Sequence, residues 1–508
     1  MKTHLQHENA EPLELRSNAI LFHDWRYVNH GYPGWLRPDG KPAALFNAGP
    51  LPEVHFSRGD IPFGLRLRTL PAGKTDPFLS PEMPWEGIIG APTIVHQEGR
   101  YRLWYESVPP TMAGGGGANF LCLAESDDGL AWSRVEETVS PYEGRAKTNI
   151  VYGGPLAGPW GYHGGGVFID PHGPPDERYK AVYLVQISKQ EADAFRGKYP
   201  DRTAPYPANA EGVHVAAGAV SPDGIHWTRL PEPLVGHLSD THNTASYDSV
   251  LGKYVWFCRT WVLGRRSIGR AETDDFRRFP LPETILWPGA GVGATDTWYG
   301  NGHTLYPGTV DWHLLLPWRW RVAEDRFFTH LLTSPDGILW GAPPANLVLQ
   351  PGQPGSWDTG GAISGCGMVE LPGGRVAIPY VGYRIPHKYP RRPPLGQFAW
   401  AWWEQDRIVA LEAEEDAEFS TWIVRFRGNE LHLNLRTKHT GLVHVELLGP
   451  DRRPVAGRTL ADCDPICGNH PDAVVTWRGD ARLSNDGPRP MAFHVRMNHA
   501  QLFSIRFA

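Results

Sequence analysis

The stretch Ser-Asp-Asp-Gly-Leu-Ala-Trp at residues 126–132 is a short motif that recurs along this chain of 508 residues. It returns as Ser-Pro-Asp-Gly-Ile-His-Trp at 221–227 and as Ser-Pro-Asp-Gly-Ile-Leu-Trp at 334–340, with a degenerate copy, Thr-Asp-Asp-Phe-Arg-Arg-Phe, at 273–279. An Asp-Gly pair favours a tight turn, because glycine accepts a positive φ and the aspartate side chain hydrogen-bonds to nearby backbone. The aromatic residue three positions after the glycine can then anchor the turn on a sheet. The motif therefore predicts a fold built from similar β-units.

Aromatic-rich strands are predicted ahead of the four copies, and a fifth unit has a strand of its own. These strands begin at Tyr101, Tyr179, Tyr254, Trp312 and Arg375. Repeats of about 50 residues that each hold about four strands are typical of a β-propeller. The sequence therefore predicts an all-β fold with a five-bladed β-propeller over residues 80–415.

The segments on either side of this region are predicted to have separate roles. Residues 1–79 would close the ring of blades and cover one face. From residue 416 onward apolar and polar residues alternate, as in Leu-His-Leu-Asn-Leu at 431–435 and Leu-Val-His-Val-Glu-Leu at 442–447. Alternation with period two is typical of half-buried strands, so residues 416–508 are predicted to form a β-sandwich.

The composition favours the same β-rich architecture. The chain contains 57 Gly and 48 Pro, both above average usage, together with 21 Trp, 18 Tyr and 19 Phe. Glycine and proline at this level exclude helical bundles and coiled coils, and the absence of a Gly-X-Y period excludes collagen. The aromatic content excludes a disordered chain, since such chains cannot bury enough apolar surface to offset the entropy lost on folding.

The charge and the cysteines indicate what kind of partner and compartment to expect. The formal net charge of −6 shows no basic footprint for nucleic acid or an anionic membrane. No run of 18 apolar residues occurs, and the first twenty residues lack the apolar core of a secretory signal. The five cysteines are odd in number and scattered, which favours reduced thiols. We therefore expect a cytoplasmic protein that binds neither nucleic acid nor membrane, and a homo-oligomer is left open.

Acids, amides and aromatic residues at the starts of the predicted units are candidates for a shared site, because the innermost strand of each blade lines the central funnel of a propeller. Aromatic faces stack on the apolar side of a sugar, and carboxylates and amides bind its hydroxyls. Two carboxylates that flank a glycosidic bond can act as nucleophile and general acid. Any single acid could equally be a strand-end or turn residue. Recurrence at equivalent positions is what favours the shared site, which would bind a small saccharide.

Two further segments combine aromatic and basic residues. In Trp-Arg-Trp-Arg at 318–321, alternation places both Trp on one face, where they either border the funnel or fill contacts between blades. Arg391 and Arg392 beside Tyr389 form a small basic patch that is predicted to be solvated. The glycine run at 114–117 is predicted to be a mobile lid rather than a phosphate cradle.

The predicted architecture and motifs resemble the five-bladed propeller glycosidases of glycoside hydrolase families 32, 43 and 68, most closely a family-32-like group with repeated Ser-x-Asp-Gly-x-x-Trp motifs. The resemblance covers residues 17–508. These families carry an acid in the innermost strand of each of the first three blades. Here Ala91 stands where the first-blade strand would carry Asp, and the second-blade stretch at 162–168 has no acid. The catalytic set is therefore expected to be relocated or lost.

The resemblance leaves a limited choice of acids for the chemistry. Asp240 and Glu86 are the expected working pair, with Asp24 or Asp358 as a stabiliser of the transition state. The residues predicted to bind substrate are Trp85, Asn149, His242, Asn243, Asp296, Tyr299, His303, Trp318 and Arg319.

The function implied by the resemblance is that of a glycoside hydrolase acting on a furanoside, a fructose- or arabinose-containing saccharide, with two carboxylates and neither an organic cofactor nor a metal. Two alternatives stay open. A glycoside phosphorylase on the same fold would need a basic cluster in the funnel, which Arg319, Arg321 and Arg384 could supply. A non-catalytic carbohydrate-binding propeller would account for the missing acids.

Overall fold

The computed structural model describes most of the chain, in two compact units. The described residues are 5, 11–37, 41, 43, 55–110, 119–158, 160–483 and 489–508, so the glycine run at 114–117 lies outside them. The first unit consists mainly of residues 71–342 and 346–405, and the second combines residues 4–70 with 406–508. Almost all regular structure is β-strand, and within the described parts no helix is long and apolar enough to cross a membrane.

The first unit contains five successive groups of antiparallel strands, called blades 1 to 5 below. Blade 1 consists of Ile88–Gln97, Arg100–Val108, Phe120–Ser126 and Ser133–Arg134, with Ile150–Gly153 paired to its third strand. Blade 2 consists of His163–Ile169, Tyr179–Ser188, Gly212–Ser221 and Thr228–Arg229. Blade 3 consists of Thr244–Asp248, Lys253–Val262, Arg265–Thr273 and Glu283–Leu286.

The strands of the last two blades are more interrupted. In blade 4 the first three strands are each divided into two pieces, and the fourth is continuous. The pieces are Thr297–Gly300 with Thr304–Leu305, His313–Leu315 with Trp318–Arg321, and Arg326–His330 with Leu332–Ser334, and the fourth strand is Leu347–Leu349. Blade 5 consists of Gly361–Ser364, Val369–Leu371, Arg375–Tyr383 and Gln397–Glu404, and Gly73–Lys74 is added at its outer edge. The helical segments with bounds inside the described residues are the α-helix Lys189–Lys198 and the 3-10 helices Gly154–Leu156, Pro175–Glu177 and Pro200–Arg202.

Neighbouring blades are joined in a ring. Between blades 1 and 5, the Ile94 backbone N–H donates to the Cys366 carbonyl at 2.9 Å. Between blades 3 and 2, the Asn243 backbone N–H donates to the Gly164 carbonyl at 2.9 Å. Hydrogen bonds or bridges also join the remaining neighbours. This series of five antiparallel groups, with its contacts between neighbours, is the arrangement that the sequence predicts for a β-propeller.

The repeated Ser-x-Asp-Gly-x-x-Trp motif forms the tight turn that the sequence predicts. In each complete copy the Asp carboxylate accepts two backbone N–H groups, and the Trp indole donates to the carbonyl of the glycine in the same motif. The three glycines, Gly129, Gly224 and Gly337, have φ values of 74°, 80° and 70°. The turn prediction is therefore confirmed, and the aromatic residue is indeed its anchor.

Two of these turns also join neighbouring blades. The indole of Trp104 in blade 1 donates to the Gly224 carbonyl at 2.9 Å, and the indole of Trp400 in blade 5 donates to the Gly129 carbonyl at 2.7 Å. Both indoles are fully buried. A motif that looks local in the sequence thus also contributes to the packing between blades.

The second unit is built around one six-stranded antiparallel sheet. Its strands are Asn469–Val474, Leu431–Leu448, Ala492–Phe507, Val409–Ser420, Phe63–Thr69 and Ala19–Leu21. Two short pairs lie beside it, Leu13–Glu14 with Val424–Arg425 and Tyr32–Leu36 with His55–Gly59. The β-sandwich predicted for residues 416–508 is not confirmed, because the two longest strands, of 18 and 16 residues, pair with each other within this one sheet.

The boundaries of the two units differ from those predicted at residues 79 and 415. Phe63–Thr69 pairs with Val409–Ser420, so most of the N-terminal segment belongs with the C-terminal sheet. Gly73–Lys74 pairs with Gln397–Glu404 and completes blade 5. Strand pairing between distant parts of the chain sets these boundaries, and the local pattern does not reveal it.

Candidate active site

A cavity with a volume of 720 Å³ is lined by residues of blades 1, 2, 4 and 5 and by the segment just ahead of blade 3. This size is within the range of about 300–1,000 Å³ that is typical of small-molecule sites. Its polar lining residues are Glu106, Asn119, His163, Asp240, Thr241, Tyr299, Tyr383, His387, Lys388 and Arg391. Its aromatic lining also includes Trp160, Trp318, Phe327 and Tyr389.

Glu106 of blade 1 and His163 of blade 2 form a hydrogen-bonded pair in this cavity. The Glu106 carboxylate accepts from His163 Nδ1 at 2.6 Å, from Asn119 Nδ2 at 2.6 Å and from the Gly164 backbone N–H at 3.0 Å. Burial alone would lower the pKa of His163 and raise that of Glu106, but the contact between the two outweighs burial. The pKa of His163 therefore lies above its usual value and that of Glu106 below. Because Nδ1 is engaged, Nε2 is the His163 nitrogen available to a ligand.

The glycine run after His163 allows blade 2 to approach blade 3 closely. Gly164 has a φ of 55°, and a Cβ at this position would lie 2.0 Å from the Asp240 carbonyl oxygen. A Cβ at Gly166 would lie 2.4 Å from the Asn243 carbonyl oxygen. Only glycine tolerates such an approach of two backbones. The run therefore sets His163 beside the segment that carries Asp240.

Asp240 reaches the cavity while paired with a buried arginine. The Arg259 guanidinium contacts the Asp240 carboxylate and Thr241 Oγ1, and it donates to the Tyr299 carbonyl at 2.9 Å. Its Cζ also lies 4.2 Å from the centroid of the Tyr299 ring. The Asp240 side chain remains 36% exposed, whereas that of Arg259 is 1% exposed. This carboxylate is thus fixed by its partner and still accessible.

Tyr299 and Trp318 supply aromatic surface to the cavity. Their ring planes are nearly parallel, with centroids 6.3 Å apart, and the Trp318 indole donates to Ser364 Oγ at 2.9 Å. The first alternative for the Trp pair, that it borders the funnel, holds for one of the two residues. Trp318 lines the cavity, whereas Trp320 packs against Tyr299 and Phe327.

The other predicted acids do not line the cavity, and Glu86 shows why. Its carboxylate accepts from Tyr105 Oη at 2.6 Å, from Arg134 Nη2 at 2.8 Å and from the backbone N–H groups of Glu82 and Met83. The Glu86 side chain is fully buried. A carboxylate with this many internal donors is a structural anchor, so its expected role in the working pair is not supported by the geometry.

Asp358 and Asp24 are also engaged within the protein. The Asp358 carboxylate, 3% exposed, accepts from Lys74 Nζ at 2.6 Å. Asp24 belongs to the second unit and accepts from Arg26 Nε at 2.9 Å and Nη2 at 2.7 Å. Burial alone would raise the pKa of Asp24, but Arg26 more than offsets this, so that pKa lies below its usual value. Neither acid is placed to stabilise a transition state in the cavity.

The remaining predicted binding residues lie outside the cavity lining. Trp85 and Asn149 are buried and bonded to each other, at 2.9 Å between Nε1 and Oδ1. Asn243 is buried, and its side-chain amide donates to the backbone carbonyls of Gly164 and Ser239. Asp296 and Arg319 form an ion pair at 2.8 Å.

The two predicted histidines are buried as well. Burial lowers the pKa of His242 to about 4, and its ring lies 3.3 Å from Cys366 Sγ. His303 stacks on Phe257 with ring centroids 3.9 Å apart, and burial holds its pKa well below the usual value. Both are therefore neutral core histidines near neutral pH.

Several residues that line the cavity are not among those predicted from the sequence. Glu106 lies in the second strand of blade 1, whereas the predicted acids lie at the starts of the units. His163 lies in the second-blade stretch at 162–168, which has no acid, although a histidine ahead of three glycines is a recognisable signal. Tyr389 and Arg391 are solvent-exposed, as predicted for a solvated patch, and they also line the cavity, which the sequence does not indicate. Ala91 also lines the cavity, so the first-blade position is present without its carboxylate.

Comparison with known proteins gives structural neighbours only. No protein-family model matches the chain, and no curated protein matches it. One similar solved structure is the Bombyx mori family-32 β-fructofuranosidase BmSUC1, at 11% identity and a TM-score of 0.43, covering 85% of this chain and 93% of that one. Another is a thermostable family-43 glycoside hydrolase, at 13% identity and a TM-score of 0.40, covering 65% and 94%.

A third neighbour belongs to the family-130 mannoside phosphorylases, a family that contains glycoside hydrolases targeting β-1,2 mannosidic linkages in Candida mannan. It has 14% identity and a TM-score of 0.42, covering 65% of this chain and 93% of that one. The structural neighbours are propeller glycosidases. Families 32 and 43, which the sequence motifs resemble, are both among them, at low identity.

Proposed function

We propose that the chain is a glycoside-cleaving enzyme whose active site is the 720 Å³ cavity of the first unit. The observation that supports this proposal most strongly is the meeting of two different reactive groups in one aromatic-lined cavity. Asp240 supplies an accessible carboxylate, and His163 supplies an imidazole backed by Glu106. A nucleophile or base and a separate proton donor are what cleavage of a glycosidic bond requires.

The two groups differ in the role that their surroundings favour. The Arg259 guanidinium fixes the Asp240 carboxylate, which would attack the anomeric carbon or activate a water there. The raised pKa of His163 favours the protonated ring, which suits donation to the leaving glycosidic oxygen. This assignment replaces the expected pair of Asp240 and Glu86 by Asp240 and the Glu106–His163 pair.

The aromatic side chains would bind the sugar itself. Trp318, Tyr299 and Phe327 present apolar surface to the cavity, and such faces stack on the apolar side of a sugar ring. Asn119 and Tyr383 add polar groups of the kind that bind hydroxyls. Within this proposal the substrate class is the furanoside type that the sequence resemblance implies.

The test is a screen of fructosides and arabinosides for release of reducing sugar by the wild-type protein and two variants. Asp240→Asn should lose at least about a hundredfold in turnover, the scale of a removed general base or nucleophile. Asp296→Asn is the matched control, because Asp296 is also paired with an arginine but does not line the cavity. Equal turnover in both variants would remove Asp240 from the active site. Saccharide binding without any turnover in the wild-type protein would favour the non-catalytic alternative.

A further inference from the structure

One side of the cavity carries a cluster of basic side chains, called the basic wall below and formed by Arg266, His387, Lys388 and Arg391. His387, Lys388 and Arg391 line the cavity directly. Arg266 lies behind them, with its Cζ 4.9 Å from the centroid of the Tyr299 ring. His387 Nε2 lies 3.1 Å from Tyr299 Oη. Two members of the wall, Arg266 and His387, thus contact the same aromatic residue of blade 4.

The cations of the basic wall have no acidic partner within the part of the chain that the structure describes. No ion pair joins Arg266, Lys388 or Arg391 to a carboxylate there, and the buried Arg266 Nε has no hydrogen-bond partner in that part either. The two carboxylates that line the cavity are already engaged, Asp240 with Arg259 and Glu106 with His163. The positive charge of the wall is therefore not neutralised by the cavity's own acids.

The residues of the wall also act on one another. Burial lowers the pKa of Lys388, and repulsion from Arg266 and Arg391 lowers it further. Burial and the same neighbours lower the pKa of His387 to about 3, so its ring is neutral near neutral pH. Asp325, a nearby acid, accepts the Lys388 backbone N–H and the Trp320 indole rather than a cationic side chain. Cations held together in this way attract an anion into the cavity.

We propose that the basic wall binds an oxyanion inside the cavity. An arginine fork and an ammonium group match the planar or tetrahedral oxygens of a carboxylate, phosphate or sulfate group. The oxyanion is either a substituent of the saccharide or inorganic phosphate acting as a second substrate. The proposal rests on the proposed function only in taking the cavity as the substrate site.

In the second case the bond changes are those of phosphorolysis. A phosphate oxygen forms a bond to the anomeric carbon while the glycosidic C–O bond breaks. The leaving oxygen takes the proton of His163, and the products are a sugar 1-phosphate and a free hydroxyl. The basic wall would supply the cluster that a phosphorylase requires. The arginines expected from the sequence do not: Arg319 pairs with Asp296, Arg321 pairs with Glu324, and Arg384 does not line the cavity.

The test measures binding of inorganic phosphate to the full-length protein by titration calorimetry at low and high salt. We expect binding that weakens at high salt, and Arg391→Gln should weaken it about tenfold, as for one lost charge-assisted hydrogen bond. Arg392→Gln is the matched control, since Arg391 and Arg392 are both exposed but only Arg391 lines the cavity. Equal affinity in the Arg391 and Arg392 variants, or no binding of phosphate, sulfate or a uronic acid, would overturn the proposal.

Activity data separate the two sources of the oxyanion. Turnover of a neutral saccharide that depends on added phosphate supports phosphate as the second substrate. Tighter binding of a sugar phosphate or uronic acid than of its neutral parent, without a phosphate requirement, supports a substituent. Phosphate binding by Asp240→Asn distinguishes this proposal from the catalytic one, because binding at the wall should survive when turnover is lost.

Discussion

At the scale of single residues, the acids of the first unit divide into those used inside the protein and those that reach the cavity. Glu86 and Asp358 are nearly or fully buried and have internal cationic partners. Asp240 also has such a partner but keeps an accessible carboxylate. Exposure towards the cavity, rather than position at the start of a blade, is therefore what separates acids that a ligand can reach from structural acids.

The Glu106–His163 pair predicts a shift in pH dependence. The contact with Glu106 raises the pKa of His163, so activity that needs protonated His163 falls as the pH rises through this value. In Glu106→Gln the carboxylate is gone, and the pKa of His163 should drop. The alkaline limb of the pH–rate profile should then move to lower pH, and histidine NMR titration should show the same shift. A limb that stays in place would exclude His163 as the proton donor.

Glu86 predicts a loss of stability instead of a loss of chemistry. In Glu86→Gln the Arg134 guanidinium loses a buried carboxylate, so the free energy of unfolding should fall by about 3 kcal/mol. Turnover well below the melting temperature should be retained. Glu82→Gln is the control, because Glu82 pairs with the same arginine at 3.1 Å but is 64% exposed, and its loss should be about 0.5 kcal/mol. Urea unfolding measures both values, and equal losses would contradict the structural role of Glu86.

At the scale of the element, the turn motif joins neighbouring blades. Gly224 has a φ of 80°, and a Cβ there would lie 2.6 Å from the buried Trp104 ring. Gly252 has a φ of 68°, with its nearest neighbouring atom 3.8 Å away, so it shares the backbone strain without the clash.

Alanine at these two glycines should therefore have different effects. Gly252→Ala should lower the free energy of unfolding by about 1 kcal/mol through backbone strain. Gly224→Ala should cost about 2 kcal/mol more, because the Trp104 ring has no room to move. Denaturant unfolding compares the two variants, and equal losses would mean that the turn does not clamp blade 1 to blade 2.

Elements with local signals were predictable, and pairings between distant segments were not. The Asp-Gly turns depend on seven consecutive residues, and the sequence contains all of them. The contact of Glu106 with His163 depends on the approach of two blades, which no local pattern describes. The alternation in residues 431–435 predicts a strand correctly but does not show that this strand pairs with Ala492–Phe507 in a single sheet.

At the scale of the whole molecule, the closure of blade 5 depends on a strand from the start of the first unit. Gly73–Lys74 pairs with Gln397–Glu404, and Lys74 Nζ contacts the buried Asp358 carboxylate. Lys74→Met should leave this carboxylate without a cation and lower the free energy of unfolding by about 2 kcal/mol. Lys253→Met should lower it by about 0.5 kcal/mol, since the Lys253–Glu272 pair is longer and more exposed. Thermal unfolding that does not distinguish the variants would contradict this role for Lys74.

The ring of five blades also explains why some site residues could be predicted. Asp240 and Tyr299 were expected because they lie at or near the inner strands of blades 3 and 4, and Trp318 was expected from the Trp-Arg alternation at 318–321. The structure places all three at the cavity. Their chemical roles stay predictions. Glu86 and Trp85 satisfy the same criterion but point into the core, since a position at the start of a blade does not determine which way the side chain faces.

The central claim is that a glycosidic bond is cleaved in the cavity of the first unit by Asp240 and His163. A crystal structure of the Asp240→Asn variant with a bound saccharide tests this claim most directly. We predict that the sugar lies in the cavity, with its anomeric carbon beside residue 240 and its glycosidic oxygen within hydrogen-bond distance of His163 Nε2. A saccharide bound elsewhere, with neither residue in contact, would contradict the account.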